Sequence, residues 1–294
     1  LDIRFLESLV AIVETGSIAA AARRHDLTPA AVSQRIQALE RHFRCALLLR
    51  SAHAVQPTEA CLALLPRIRL LIRETHSLTG DLDTSGLSGE LRIGAISTAL
   101  TGILPQALGQ MSKQAPNIRL KIVPGSSHVL YEGVLSGELD GAVLVEPPFV
   151  VPKSLKVRRL RAEKLLLLSR YPVGKGQVDA AINSAPYIRY DPNAWGGRIA
   201  ERYIADRKLQ PEVFCDLDGL EAIAILVAQG MGNSLVPAWA GFAGHGLCVT
   251  EVSGSPSYDR HIVFLTSATP SRPKALALLG DMIEGLPDDG FVRV

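Results

Sequence analysis

The sequence predicts an α/β chain in two parts: a helical front closed by a small hairpin, and a long remainder of alternating strands and helices. Three observations predict it. The first sixty residues carry apolar stripes at helical spacing. A heptad-spaced helical stretch follows them. Beyond residue 90, short runs rich in Val, Ile and Leu alternate with helical patterns, as in βαβ units with a parallel sheet. The chain has 294 residues, 47% of them hydrophobic and 20% charged, enough apolar material for a sizeable core and against wholesale disorder.

In the front, Ile3, Leu6, Val10 and Val13 share one face of a first helix, which ends at Gly16. Ser17 is a good N-cap for a second, alanine-rich helix over 18–24, whose small side chains permit close helix approach. Asp26-Leu27 turns the chain. Thr28 caps a third helix with Pro29 at its first position, where a missing N–H costs nothing. Val32, Ile36, Leu39 and Phe43 form the buried stripe of that helix. At about 100° per residue, Ala30, Gln34, Gln37 and Arg41 point the other way, with Ser33 at the flank. Gln pairs with an adenine edge, Ser contacts several bases, and Ala leaves room for a thymine methyl. A helix entering the DNA major groove by its N-terminal end needs such a face. Arg23, Arg24, Arg35, Arg41, Arg44 and Arg50 stand against only Asp26 and Glu40 over residues 17–57, a local excess suited to phosphates although the whole chain carries only +2. Residues 46–58 read as two short strands, a wing, with Arg50 where the first leaves the core. Piece by piece, these features equally describe a three-helix bundle with a solvated polar face. Their order together favours the groove-reading helix.

The stretches "FLESLVAIVETGSIAAAARRHDLTPAAVSQRIQALERHF" and "LLLRSAHAVQPTEA" resemble the LysR-type transcriptional regulators. The resemblance implies a winged helix-turn-helix, a long dimerising linker helix, and a two-lobed effector domain like a type 2 periplasmic binding protein. It implies DNA contacts at Ser17, Thr28, Pro29, Ala30, Ser33, Gln34, Arg35, Gln37 and Arg50, with a double-stranded operator and RNA polymerase as partners, and a dimer or tetramer. Three features depart from the family pattern. Cys61 stands where a glycine is usual, the wing has no basic residue beyond Arg50 except His53, and Gln34 takes a place often held by Arg or Lys, with the basic residue at Arg35 instead.

From 59 to 82, Leu64, Ile68, Leu71, Thr75, Leu78 and Leu82 step by four and three, the spacing of a two-helix seam. Leu64, Ile68, Leu71, Leu78 and Leu82 are the expected subunit interface; packing within the chain's own domain is the alternative. Pro66 should kink this helix or split it. Residues 83–90 read as a hinge. The expected division is 1–58, 59–82, 83–90 and 91–294, with one lobe over about 91–161 and 267–294 and the other over about 162–266.

Ligands of open α/β sheets bind beyond the carboxyl ends of strands. Those ends read "AISTALTG", "VPGSSH", "YDPNAWGG" and "GMGNSLVP". Ser97, Thr98, Ser126 and Ser127 sit where helices begin, with N–H groups and a dipole end suited to an anion held without an arginine. Tyr190 and Trp195 offer an apolar wall. By the resemblance, Ser97, Thr98, Gly125, Ser126, Tyr190, Trp195 and Asn233 line the cleft for a small, anionic effector.

No GxSxG, HExxH or P-loop motif is present, and the seven histidines show no metal-ligand spacing, so neither an enzyme nor a cofactor is expected. Cys45, Cys61, Cys215 and Cys248 form no CxxC, a pattern suited to a reducing compartment. A thiol-sensing regulator of the same architecture is the rival function, with Cys215 and Cys248 in the ligand lobe. A free-standing solute-binding protein would not need residues 1–58. No leader-like segment or membrane span is read, so a cytoplasmic regulator with no membrane partner is expected.

Overall fold

The computed structural model describes residues 1–50, 55–81, 85–239, 246–254 and 257–286. The chain forms two compact units, Leu1–Ser85 in one and nearly everything from Gly86 onward in the other.

The first unit opens with α1 (Ile3–Thr15), α2 (Ile18–Arg24) and α3 (Pro29–Phe43). Their ends follow from local chemistry. Gly16 takes the left-handed conformation (φ 65°) and its N–H returns to the Ile12 carbonyl, closing α1. The Ser17 and Thr28 hydroxyls accept from the Ala20 and Ala31 amides at 3.3 and 3.2 Å. Leu6, Leu9, Ile12, Val32, Ile36 and Leu39 close one core among the three helices. The hairpin pairs β1 (Leu48–Arg50) with β2 (Val55–Pro57), antiparallel, Leu49 opposite Gln56. Thr58 then caps α4 (Glu59–Asp81) by accepting from the Cys61 amide at 3.1 Å. The helix runs unbroken through Pro66, so the expected split is absent. Proline removes a single intrahelical hydrogen bond, and Cys61, Leu65 and Ile68 on either side of it are anchored in the unit's core.

The second unit contains two sheets. The first has the order β4-β3-β5-β12-β6, from β3 (Gly89–Ala95), β4 (Ile118–Pro124), β5 (Gly141–Val145), β6 (Leu155–Glu163) and β12 (Arg260–Ser267). β3 is parallel to β4 and β5, while β12 is antiparallel to β5 and β6. Around it lie α5 (Ser97–Gly102), α6 (Leu104–Gln114), α7 (Ser127–Leu135) and α11 (Pro273–Glu284). In the second sheet β7 (Leu165–Ser169) runs antiparallel to both β10 (Ser234–Pro237) and β11 (Cys248–Glu251). β8 (Tyr187–Tyr190) and β9 (Val213–Leu217) are parallel, and a Tyr187–Asn233 bridge sets β8 beside β10. The row is therefore β11-β7-β10-β8-β9. One face packs against a core including Val178, Ile182, Ala200 and Tyr203, from α8 (Val178–Ser184) and α9 (Gly197–Asp206). The other packs against Leu220, Ile223 and Val227 of α10 (Leu220–Ala228).

The chain crosses from the first sheet to the second after Glu163, close to the expected boundary at about 161, and returns before Arg260 rather than at about 267. β12 belongs to the first lobe because its apolar run, Ile262–Leu265, is buried between two neighbouring strands. β6 and β11 were not expected as strands. The sequence of β6, "LKVRRLRAE", carries its charges on an edge position, where the apolar signal is weak.

Candidate nucleic-acid interface and ligand cleft

On α3, Thr28, Pro29, Ala30, Gln34, Gln37 and Arg41 are exposed, and Ser33 is half-buried at their flank. Ser17 is half-buried in its capping role. Arg35 leaves this row. Its Nη1 donates to the Arg4 carbonyl at 3.2 Å and to the buried Ser8 hydroxyl at 3.0 Å, and its guanidinium lies 5.8 Å from the Phe5 ring centre. Arg35 thus fixes the rotation of α3 against α1. Arg24 is likewise held, by Glu14 at 2.6 Å. Sequence reasoning counted Glu40 only as a charge. Its Oε1 accepts from the Leu47 and Leu48 amides at 2.9 and 3.3 Å, which pins the first wing strand to α3. The wing tip, 51–54, and the Arg50 side chain lie outside the described residues.

α4 divides its apolar residues into two rows. Cys61, Leu65, Ile68 and Ile72 join the core shared with α1. Ile68 is 3% exposed and serves its own unit, which corrects its assignment to a subunit seam. Leu64 is half-buried and also packs against that core, so its assignment to a subunit seam is corrected too, while Leu71 and Leu78 lie roughly 90–100° around the helix at ~100° per residue. Leu71 and Leu78 are 49% and 63% exposed. The heptad spacing merged these rows because positions four apart in sequence lie only about 40° apart on the surface. Leu82 lies outside the described residues. Burial also pushes the Cys61 thiol pKa upward, with Cys45 and Glu40 adding to the effect.

In the second unit a cavity of about 410 Å³ opens between the two sheets, lined by Ser97 and Thr98 at the start of α5 and by Gly125 and Ser126 before α7. Tyr190 and Trp195 line it from the other lobe, and Gly219 and Leu220 bring the start of α10 to it. Six of the seven expected positions therefore meet. Asn233 does not. It precedes β10, at the amino end of the strand, and its Nδ2 donates to the Ala181 carbonyl at 3.0 Å. The stretch expected at a strand's carboxyl end leads into β10 instead.

The floor of the cavity holds the largest surprise, a buried arginine. Arg260 and Glu163 face each other across β12 and β6, 2% and 4% exposed. Arg260 Nε and Nη2 reach Glu163 Oε2 at 2.7 and 2.5 Å. Nη2 also donates to the Thr98 hydroxyl at 3.3 Å. Tyr190 also interacts electrostatically with the Arg260 side chain. Burial alone would lower the arginine's pKa, but Glu163 and Tyr190 hold it above its ordinary value, so it remains charged. Burial raises the Tyr190 pKa, an effect Arg260 opposes, and the phenol stays neutral. The expectation of an anion site without arginine is thus corrected. The available signal was two charges standing at the mouths of apolar strands, "RHIVFL" and "EKLLLL".

Backbone fit shapes the opposite wall. A Cβ on Gly196 would sit 2.5 Å from Tyr190 Oη, and one on Gly197 would sit 1.9 Å from the Asp191 carbonyl oxygen. Only glycine lets the chain turn from Tyr190 into α9 here. Trp195 reaches across to the first lobe's core, edge-on to Phe149 at 5.5 Å and Tyr131 at 6.0 Å. Cys215 and Cys248 lie in β9 and β11, opposite edges of the second sheet. Four strand spacings of ~4.8 Å separate these strands, so a disulfide between the two would require the sheet to come apart. Among the described residues there is no cluster of His, Cys, Asp or Glu fit for a metal, and no helix long and apolar enough to cross a membrane.

The family description "Bacterial regulatory helix-turn-helix protein, lysR family" matches residues 3–62, and "LysR substrate binding domain" matches residues 84–286. The regulator IlvR of Caulobacter vibrioides is 26% identical over 245 residues, covering 81% of this chain and 83% of that protein. Among solved structures, a full-length OxyR variant from Pseudomonas aeruginosa superposes with a TM-score of 0.72 at 20% identity, covering 98% of this chain and 96% of the other. Full-length CbnR complexed with its target DNA superposes with a TM-score of 0.69 at 19% identity, covering 96% and 99%. A capped helix-turn-helix with its hairpin, followed by a two-lobed domain with a cavity between its sheets, matches both descriptions in turn, and the chain belongs to the LysR family of bacterial transcriptional regulators, with a DNA-binding front and an effector-binding domain.

Proposed function

We propose that this regulator reads its operator with the exposed row of α3 and answers to a small anionic metabolite in the two-lobed cleft. The observation that carries the DNA half is the outward face of Ala30, Gln34, Gln37 and Arg41, with Arg35 turned inward to fix its angle. Thr28 and Pro29 open the helix at the groove, Ser33 and Ser17 flank it, and Arg50 contacts phosphate. Gln34 supplies base discrimination and the arginines supply position. The complex of CbnR with its target DNA supports this reading by similarity of fold.

The starts of α7, α9 and α10 converge on the cavity, and their free N–H groups favour an anion. Trp195, Leu100 and Leu220 take an apolar portion of the ligand. Leu71 and Leu78 pair two chains along α4, giving a dimer or tetramer that matches a two-fold operator. The protein acts as a cytoplasmic regulator and not an enzyme, with RNA polymerase as its further partner. Ligand binding favours one cleft closure over another and so shifts the arrangement of subunits on DNA.

Selection of DNA from a random pool tests this function. The full-length protein is expected to enrich one sequence with two-fold symmetric half-sites about one helical turn, or a multiple of it, apart. Enrichment of no common sequence would remove the reading.

A further inference from the structure

Among the described residues, Arg260 is the only Lys or Arg that lines the cavity. The other ionisable groups there are Asp218, His128 and Tyr190. The guanidinium has five N–H donors. Its Nε and Nη2 are engaged by Glu163 and Thr98. Glu163 therefore cancels the one full positive charge at the floor and occupies the edge a chelating carboxylate would use. What remains for a ligand is a neutralised pair with spare N–H capacity, together with the partial charges of helix starts. Asp218 adds a carboxylate to the same wall. One negative charge on a ligand can be matched in this setting. A second would be stripped of water beside two carboxylates with no cation of its own.

The pair also sits at a special place in the chain. Glu163 is the last residue of β6, immediately before the crossing into the second lobe, and Arg260 is the first residue of β12, immediately after the return. From Arg260 a hydrogen bond reaches α5 of the first lobe at Thr98, and Tyr190 at the end of β8 of the second lobe lines the same cavity. A ligand that touches this guanidinium touches the tie between both crossings.

We propose that Arg260 selects the effector by charge: neutralised by Glu163, it donates to one oxygen of a monoanionic ligand, and the cavity turns dianions away. This rests on the reading of the cleft as an anion-binding effector site. Glu163 is a positioning residue in it, acting on the ligand through Arg260.

The test uses the full chain with Trp239→Phe, which leaves Trp195 in the cavity wall as the sole tryptophan. Its fluorescence is titrated with benzoate, the neutral benzamide, the dianion terephthalate and sulfate. The protein without further change is expected to prefer benzoate over terephthalate at least tenfold. Glu163→Gln frees the guanidinium, so terephthalate and sulfate should each gain at least tenfold, while Glu163→Asp should keep the original preference. If the protein binds benzoate and Glu163→Gln gains nothing for either dianion, the anionic cleft stands and the charge selection by Arg260 is overturned. If Glu163→Gln gains sulfate while the parent binds neither benzoate nor terephthalate, the role of the pair stands and the anionic effector falls. No response to any anion in any variant overturns both. Should Glu163→Gln fail to fold, Glu163→Met with Arg260→Met removes both buried charges together. The preference for benzoate over benzamide should then drop at least tenfold, and a preference that does not drop overturns the proposal.

Discussion

At the scale of single residues, side chains that look interchangeable in sequence do different work. Arg35 and Arg41 are both arginines of α3, yet one is bonded to α1 and the other is exposed. Neither periodicity nor charge count separates them, because Arg35 lies beside the outward row and its partners Arg4 and Ser8 belong to another helix. The caps Ser17 and Thr28 were legible because their partners lie three residues away. Thr98 was legible as a cleft residue, but its partner Arg260 lies 162 positions on. Thr98→Val removes a hydrogen bond to a charged group, about 1.5–3 kcal/mol. Effector affinity, measured by calorimetry against carboxylates and their neutral analogues, should fall roughly tenfold or more with DNA affinity kept; unchanged affinity would argue against the site. Cys61 gives a second expectation. Its raised pKa lowers the thiolate fraction at any pH below that pKa, and its sulfur is shielded in the core. Iodoacetamide at pH 8 should label Cys45, Cys215 and Cys248 well before Cys61, read by mass spectrometry. Labelling of Cys61 at an equal rate would contradict its place in the core.

At the scale of elements, the helices of the front were read to within a residue, since each carries its own start and stop signals. The α4 helix shows where that reading ends. Spacing found the helix but merged a core stripe with an exposed row, and the difference depends on α1 packing beside it. The two rows make separable predictions. Ile68→Ala leaves a cavity in the first unit and should cost about 2–5 kcal/mol of its stability in denaturant unfolding. Leu78→Asp lies on the exposed row and should leave that stability unchanged while lowering the sedimenting mass. If Leu78→Asp keeps the parent mass, the row is not a subunit interface. The wing offers a third case. Glu40→Ala frees two amides of the hairpin, at about 1.5–3 kcal/mol for bonds to a charged group. It should weaken binding to selected and random DNA alike. A loss confined to the selected sequence would place Glu40 in base reading instead.

At the scale of the whole molecule, the sequence predicted a helical front and an α/β remainder, and both are found. The extent of the lobes was less legible. β12 is a strand by composition in either lobe, and only its pairing with β5 and β6 assigns it. The cleft was found through strand ends, a rule that holds for Ser97 and Ser126 and fails for Asn233, which starts its strand. The central claim is that the exposed face of α3 reads base sequence. Fluorescence anisotropy of the full-length protein and of Gln34→Ala, each on the selected sequence and on a scrambled one at two salt concentrations, tests it most directly. Gln34→Ala should lose about 1–3 kcal/mol on the selected sequence and little on the scrambled one, with the salt dependence unchanged. Equal losses on both sequences, or none on either, would contradict the claim.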